Sequence, residues 1–74
     1  MIMSEFPKLL DAIALTEDLP QQRLRRGQVG TIVEELGPSV FEVEFCDNQG
    51  RTYASLALRA EQIMTLHDQP AQVA

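Results

Sequence analysis

A chain of 74 residues makes one domain whose core is small enough that folding alone is marginal and self-association helps. Hydrophobic residues at 45% and charged residues at 23% are ordinary for a globular protein and exclude disorder through the middle of the chain. Six Lys and Arg against eleven Asp and Glu leave a net charge of -5, which repels phosphate backbones and anionic lipid and puts generic nucleic-acid and membrane binding at a disadvantage.

Met1 to Pro7 reads as a loosely held lead-in, with no basic start followed by a long apolar stretch, so no signal peptide is expected. No apolar run approaches the about 20 residues of a membrane span. Lys8 to Leu15 is rich in Leu, Ile and Ala and suits either a short helix or a buried strand. A strand over Asp11 to Leu15 is preferred, because the polar loop Thr16 to Arg26 then leads into a clear β region. In that loop Leu19 and Leu24 are the expected anchors, and Pro20 stiffens it.

Arg26-Gly27-Gln28-Val29-Gly30-Thr31-Ile32-Val33 sets two glycines at the mouth of a β-branched run, the pattern of a bent entry into a strand. That strand is expected over Val29 to Leu36, ending at the turn Gly37-Pro38-Ser39. Val40 to Phe45 alternates cleanly, with Phe41, Val43 and Phe45 on the inner face and Glu42 and Glu44 on the outer. Asp47 to Gly50 is a turn into a fourth strand, Arg51 to Leu58.

Burial fixes the register expected for this hairpin. With Cys46 opposite Arg51, Phe41 faces Leu56, Val43 faces Ala54 and Phe45 faces Thr52, while Glu44 faces Tyr53 and Glu42 faces Ser55. A slip of one residue would turn the glutamates into the core. Arg59 to Gln62 suits one helical turn, and Ile63 to Leu66 a short strand that closes the barrel. His67 to Ala74, polar with a proline, reads as a flexible tail on a core of about residues 8–66, all within a single domain 1–74. The fold class expected is therefore mainly β, a small five-stranded barrel with one short helical turn before the last strand.

Five short strands, a long first loop and that helical turn resemble an SH3-like barrel. More narrowly, the segments Asp11 to Leu15, Asp18-Leu19-Pro20, Leu24 to Val33, Phe41 to Phe45 and Gly50 to Leu58 resemble the small bacterial family catalogued as domain of unknown function 4926. The resemblance implies a glycine near Arg23 and brings no catalytic residues. It suggests a small partner of larger proteins, encoded in neighbourhoods of toxin-antitoxin or defence type. Gly27 to Val33 also resembles the KOW motif of ribosomal and transcription-factor barrels, although any bent barrel strand needs the same glycine-then-β pattern.

The residues offer little for catalysis, and no enzyme activity, cofactor or metal site is expected. His67, the single histidine, starts the tail, so a surface histidine without a role is the simpler reading. Cys46, the single cysteine, cannot form an internal disulfide, which suits a cytoplasmic setting, and no neighbouring histidine supports thiolate chemistry. Glu34, Glu35, Glu42 and Glu44 read as a solvated acidic face. Arg23, Arg25 and Arg26 form a basic cluster in the first loop. Internal pairing with Glu17, Asp18 or the acidic hairpin is preferred there to a carboxylate or phosphate site. Tyr53, expected outward beside Glu44 and near Arg51, suits a protein-contact anchor and a cover for neighbouring backbone equally well.

These features together read as a nonenzymatic protein-binding or accessory module, with Glu42, Glu44, Arg51, Tyr53 and Ser55 as its surface and the arginine loop at the rim. Its expected partner is a basic protein, with neither membrane nor nucleic acid involved. Homodimerisation is expected through a strand edge or the Leu9-Leu10 segment. The alternative is a KOW-like nucleic-acid-binding barrel using Arg23, Arg25, Arg26 and Arg51.

Overall fold

The computed structural model describes residues 6–68 together with Pro70. Most of the expected lead-in, and the expected tail apart from His67, Asp68 and Pro70, lie outside the described residues. Five antiparallel strands form one sheet: β1 Ala12–Leu15, β2 Val29–Gly37, β3 Val40–Cys46, β4 Thr52–Arg59 and β5 Ile63–Thr65. Two single 3-10 turns, Pro20–Gln22 and Ala60–Gln62, complete the regular structure among the described residues. Of the segment Lys8 to Leu15 that suited helix or strand, Ala12–Leu15 is a strand and residues 8–11 form a turn, and the helical turn stands before the last strand as expected.

The order across the sheet is β4-β3-β2-β1-β5. One side chain cluster draws on all five strands: Ile13 and Leu15, Ile32, Phe41 with Val43 and Phe45, Leu58, and Ile63, joined by Leu24 from the first loop. A flat sheet of five strands would be about 19 Å wide, so the shared core requires the sheet to curl over it. Irregularities in the β2–β3 pairing, between Ile32 and Glu34 and between Glu35 and Gly37, supply the bend, since an extra residue on one strand sharpens its local twist. The curl stops short of closure. β5 pairs with β1 and no ladder joins it to β4, which corrects the expectation that the last strand closes a barrel.

Both glycines at the mouth of β2 are there for backbone reasons. Gly27 has φ +92°, and its N–H donates to the Leu15 carbonyl while the Leu15 N–H donates to that of Gln28. A Cβ on Gly30 would lie 2.8 Å from both the Glu44 carbonyl oxygen and Val43 Cγ1, so β3 crosses the strand where only glycine leaves room. Leu19 and Leu24 anchor the first loop as expected, exchanging both main-chain hydrogen bonds at 2.9 and 3.1 Å. Arg23, beside them, sits in the left-handed region with φ 60° and ψ 36°, a conformation that glycine takes without strain.

The β3–β4 register differs from the expected one by two residues. Phe41 pairs with Leu58, Val43 with Leu56, Phe45 with Ala54, Glu44 with Ser55 and Glu42 with Ala57. Two causes add. The connection runs one residue longer, so Cys46 faces Thr52 rather than Arg51, and Tyr53 is an extra residue between the Phe45–Ala54 and Cys46–Thr52 pairs. Because side chains alternate with a period of two, an even slip returns Ala54 to Leu58 to their expected faces, whereas Thr52 and Tyr53, at the bulge, change sides. Phe41, Val43, Phe45, Ile32 and Leu58 are buried and Leu56 packs half-buried against them.

Candidate interaction face

Strand β3 turns Glu42 and Glu44 away from the core, and its neighbours in the ladder complete an outer face. Thr31 and Ser55 flank Glu44, and Glu34 and Ala57 flank Glu42. The Ser55 hydroxyl donates to Glu42 Oε2 at 2.7 Å. Glu34 directly opposite Glu42 is a like-charge pair across two strands, an arrangement that destabilises a sheet. Among the described residues the ion pairs are Lys8–Asp11, Arg51–Asp47 and Arg59–Glu61, so no cation neutralises Glu34, Glu42 or Glu44.

Beyond Thr31 the outer face becomes apolar. Ala14 lies between Val29 and Met64 in one row across β2, β1 and β5, and Val29 and Met64 are 53% and 55% exposed. Ala12 stands beside Thr31. The acidic stripe and this uncharged strip are therefore contiguous. The alternation that marked β3 also runs through β1, yet four residues of Ala, Ile and Leu carry too little contrast to show which side faces solvent.

Two of the expected site residues lie elsewhere. The bulge puts Tyr53 and Ala54 consecutively on the core side. The Tyr53 ring lies 6.4 Å from that of Phe45, and its hydroxyl accepts from Gln28 Nε2 at 3.1 Å. Tyr53 therefore covers the rim of the core, half-exposed, instead of standing outward beside Glu44. Arg51 is held in the hairpin tip by Asp47 Oδ2 at 3.2 Å and by the Gln49 side chain. In the same tip the Arg51 and Gln49 main-chain N–H groups donate to Asp47 Oδ1. Those bonds hold the Asp47 carboxyl below its ordinary range, that from Arg51 contributing most.

The arginine loop is pinned by its backbone. Arg26 N–H donates to Asp18 Oδ1 at 2.8 Å and Arg25 N–H to Gln28 Oε1 at 2.6 Å, while Glu17 accepts from the buried Gln62 amide at 3.1 Å. Among the described residues the expected internal pairing of the guanidinium groups is not found. Arg23, Arg25 and Arg26 are exposed, and among the described residues none meets a carboxylate within ion-pairing distance. Gln28 and Gln62 were not singled out from sequence, where a glutamine at a strand entry or in a short turn carries no signal of its own. Each joins two segments through one amide: Gln28 links Arg25 to Tyr53, and Gln62 accepts from Arg59 N–H at 2.8 Å while donating to Glu17.

Cys46 is an exposed thiol 3.5 Å from the Thr52 hydroxyl. Among the described residues no cluster of three or more His, Cys, Asp or Glu is placed to hold a metal, and no helix is long and apolar enough to cross a membrane. Comparison with curated proteins and with solved structures returned no match. A family model does match, over residues 9–65, a span that begins just before β1, ends with β5 and contains the glycine entry, the arginine loop and the acidic hairpin: the chain belongs to the family described as domain of unknown function DUF4926.

Proposed function

We propose that this chain is a nonenzymatic protein-binding or accessory module, and that its docking surface is the outer sheet face centred on Glu42 and Glu44. The observation that carries this reading is the Glu34–Glu42 pair, two carboxylates opposite one another with no cation beside them among the described residues. A partner's lysine or arginine on that stripe would remove the repulsion and add charge-assisted hydrogen bonds. Beside it, Val29 and Met64, exposed on either side of the buried Ala14, supply apolar area of the kind buried at the centre of protein interfaces. A basic, amphipathic segment of another protein suits both. A cytoplasmic setting, with Cys46 as a reduced thiol, and a bacterial accessory role beside a larger protein belong to the same proposal.

The test compares captures from the native host with unmodified protein and with the double charge reversal Glu42→Lys, Glu44→Lys. A protein retained by the first and lost by the second supports the reading. Equal retention removes the acidic stripe from consideration.

The second reading, a nucleic-acid-binding barrel, is favoured by one observation: Arg23, Arg25 and Arg26 are exposed and meet no carboxylate among the described residues. Against it stand the charge of -5 and the lack of an aromatic stacking platform. Salt separates the two, because phosphate binding weakens steeply as salt rises. RNA binding that persists at physiological salt and disappears with Arg25→Ala, Arg26→Ala would overturn the first reading in favour of the second.

A further inference from the structure

The two ends of the sheet are built differently. β5 is three residues long, whereas β4 is an eight-residue edge strand. From Thr52 to Leu58 it contains no charge, no proline and no glycine, so apart from the bulge at Tyr53, which leaves Ala54 to Leu58 regular, it lacks the features that natural edge strands use against pairing. The direction of its main-chain groups follows from the end of the hairpin. Ala60 N–H donates to the Ser39 carbonyl at 2.9 Å, one step beyond the Val40–Arg59 pair. Bonded and non-bonded pairs alternate in an antiparallel ladder, which makes Phe41–Leu58, Val43–Leu56 and Phe45–Ala54 the bonded pairs. Ser55 and Ala57 consequently point their N–H and C=O groups away from β3, and no other main-chain partner reaches them among the described residues.

We infer that this edge is a dimerisation site whose occupant is a second copy of the chain, paired antiparallel through β4. With Leu56 on the two-fold axis, Ser55 of each copy meets the partner's Ala57, and each such pair exchanges both main-chain hydrogen bonds. In this register Ala54 lies opposite the partner's Leu58, keeping core side against core side. Moving the axis to Ser55 would instead bring Ala57 opposite the partner's Tyr53, where the bulge interrupts regular pairing.

The acidic stripe does not oppose this arrangement. Ser55 and Ala57 are small and uncharged, and the two β3 strands would lie three strand spacings apart, about 14 Å, beyond the screening length of about 8–10 Å at physiological salt. The continuous sheet would carry two acidic outer faces side by side. A small core would also gain from the added ladder. The inference stands apart from the identity of any basic partner, because it uses the edge and not the face.

Sedimentation equilibrium from micromolar to millimolar protein tests it. The mass should rise from 8.3 kDa towards twice that value, and Ala57→Pro should remain monomeric throughout, because the N–H it removes faces the free edge and not β3. A strict monomer across the range, or a folded Ala57→Pro variant that dimerises like the parent, overturns the inference. Should that variant fail to fold, amide exchange of the unmodified protein decides: Ser55 and Ala57 should gain protection as concentration rises, while Val43 and Phe45 are protected throughout. Protection at Ser55 and Ala57 that is independent of concentration would also overturn it.

Discussion

Gln28 donates its side-chain amide to the Tyr53 hydroxyl at 3.1 Å, and with its amide oxygen accepts the Arg25 N–H at 2.6 Å. One side chain thus fastens the arginine loop to the bulge of β4, where Tyr53 covers Phe45. Tyr53→Phe removes the hydroxyl alone and should cost about 1 kcal/mol in urea denaturation. Gln28→Ala should cost more, because it also releases the Arg25 amide. A double variant costing no more than Gln28→Ala alone would confirm that the two side chains act through their shared bond.

Phe41 and Phe45 are the largest of the fully buried side chains. Phe41→Ala should leave a cavity and cost about 3–5 kcal/mol, a large share of what a domain of this size possesses. Leu56→Ala, at a half-buried neighbour in the same cluster, should cost clearly less. Thermal unfolding of the two variants ranks them, and the reverse order would mean that the core is centred elsewhere.

Three positions in and beside the first loop should respond with different signs. Gly30→Ala should be strongly destabilising, since the new Cβ meets main chain at 2.8 Å. Gly27→Ala has open space around it and should lose about 1 kcal/mol through its φ of +92° alone. Arg23→Gly should gain about 0.5–1 kcal/mol by relieving a left-handed arginine. Chemical denaturation of all three is the measurement, and a stabilised Gly30→Ala would refute the close approach of β3.

Acid should loosen the β3–β4 turn. The Asp47 carboxyl is held below its ordinary range by main-chain N–H groups of Arg51 and Gln49. A depressed folded value means that the ionised form contributes stability above the unfolded value, near 4, and that this contribution fades as pH falls through the lowered one. Amide shifts of Gln49 and Arg51 should move together in that acid range. Asp47→Asn keeps an acceptor oxygen and should abolish the transition; an unchanged titration would assign it to another group.

Local chemistry decided much of this protein. The alternation of Phe41, Val43 and Phe45 with Glu42 and Glu44 fixed which face of β3 is buried, and the two glycines at the mouth of β2 marked a bent entry, Gly27 by its positive φ and Gly30 by the close approach of β3. Leu19 and Leu24 could be read as anchors because they are the apolar residues of a polar loop. Short-range pattern suffices when burial has period two and the turn residues announce the ends.

What needed the tertiary structure were relations that an even period conceals. The extra residue at Tyr53 and the longer hairpin tip shift the register by two, which leaves Ala54 to Leu58 on their expected faces while changing their partners, so no burial argument over those residues could have detected it. The same bulge moved Tyr53 from the acidic face to the rim of the core. Closure was equally out of reach. Whether β5 meets β4 depends on curl accumulated over the whole sheet, and the pairing of Arg23, Arg25 and Arg26 depended on where Glu17 and Asp18 found main-chain and amide donors first. These outcomes are set by competition among distant groups for a few hydrogen bonds, which proximity in the chain does not encode.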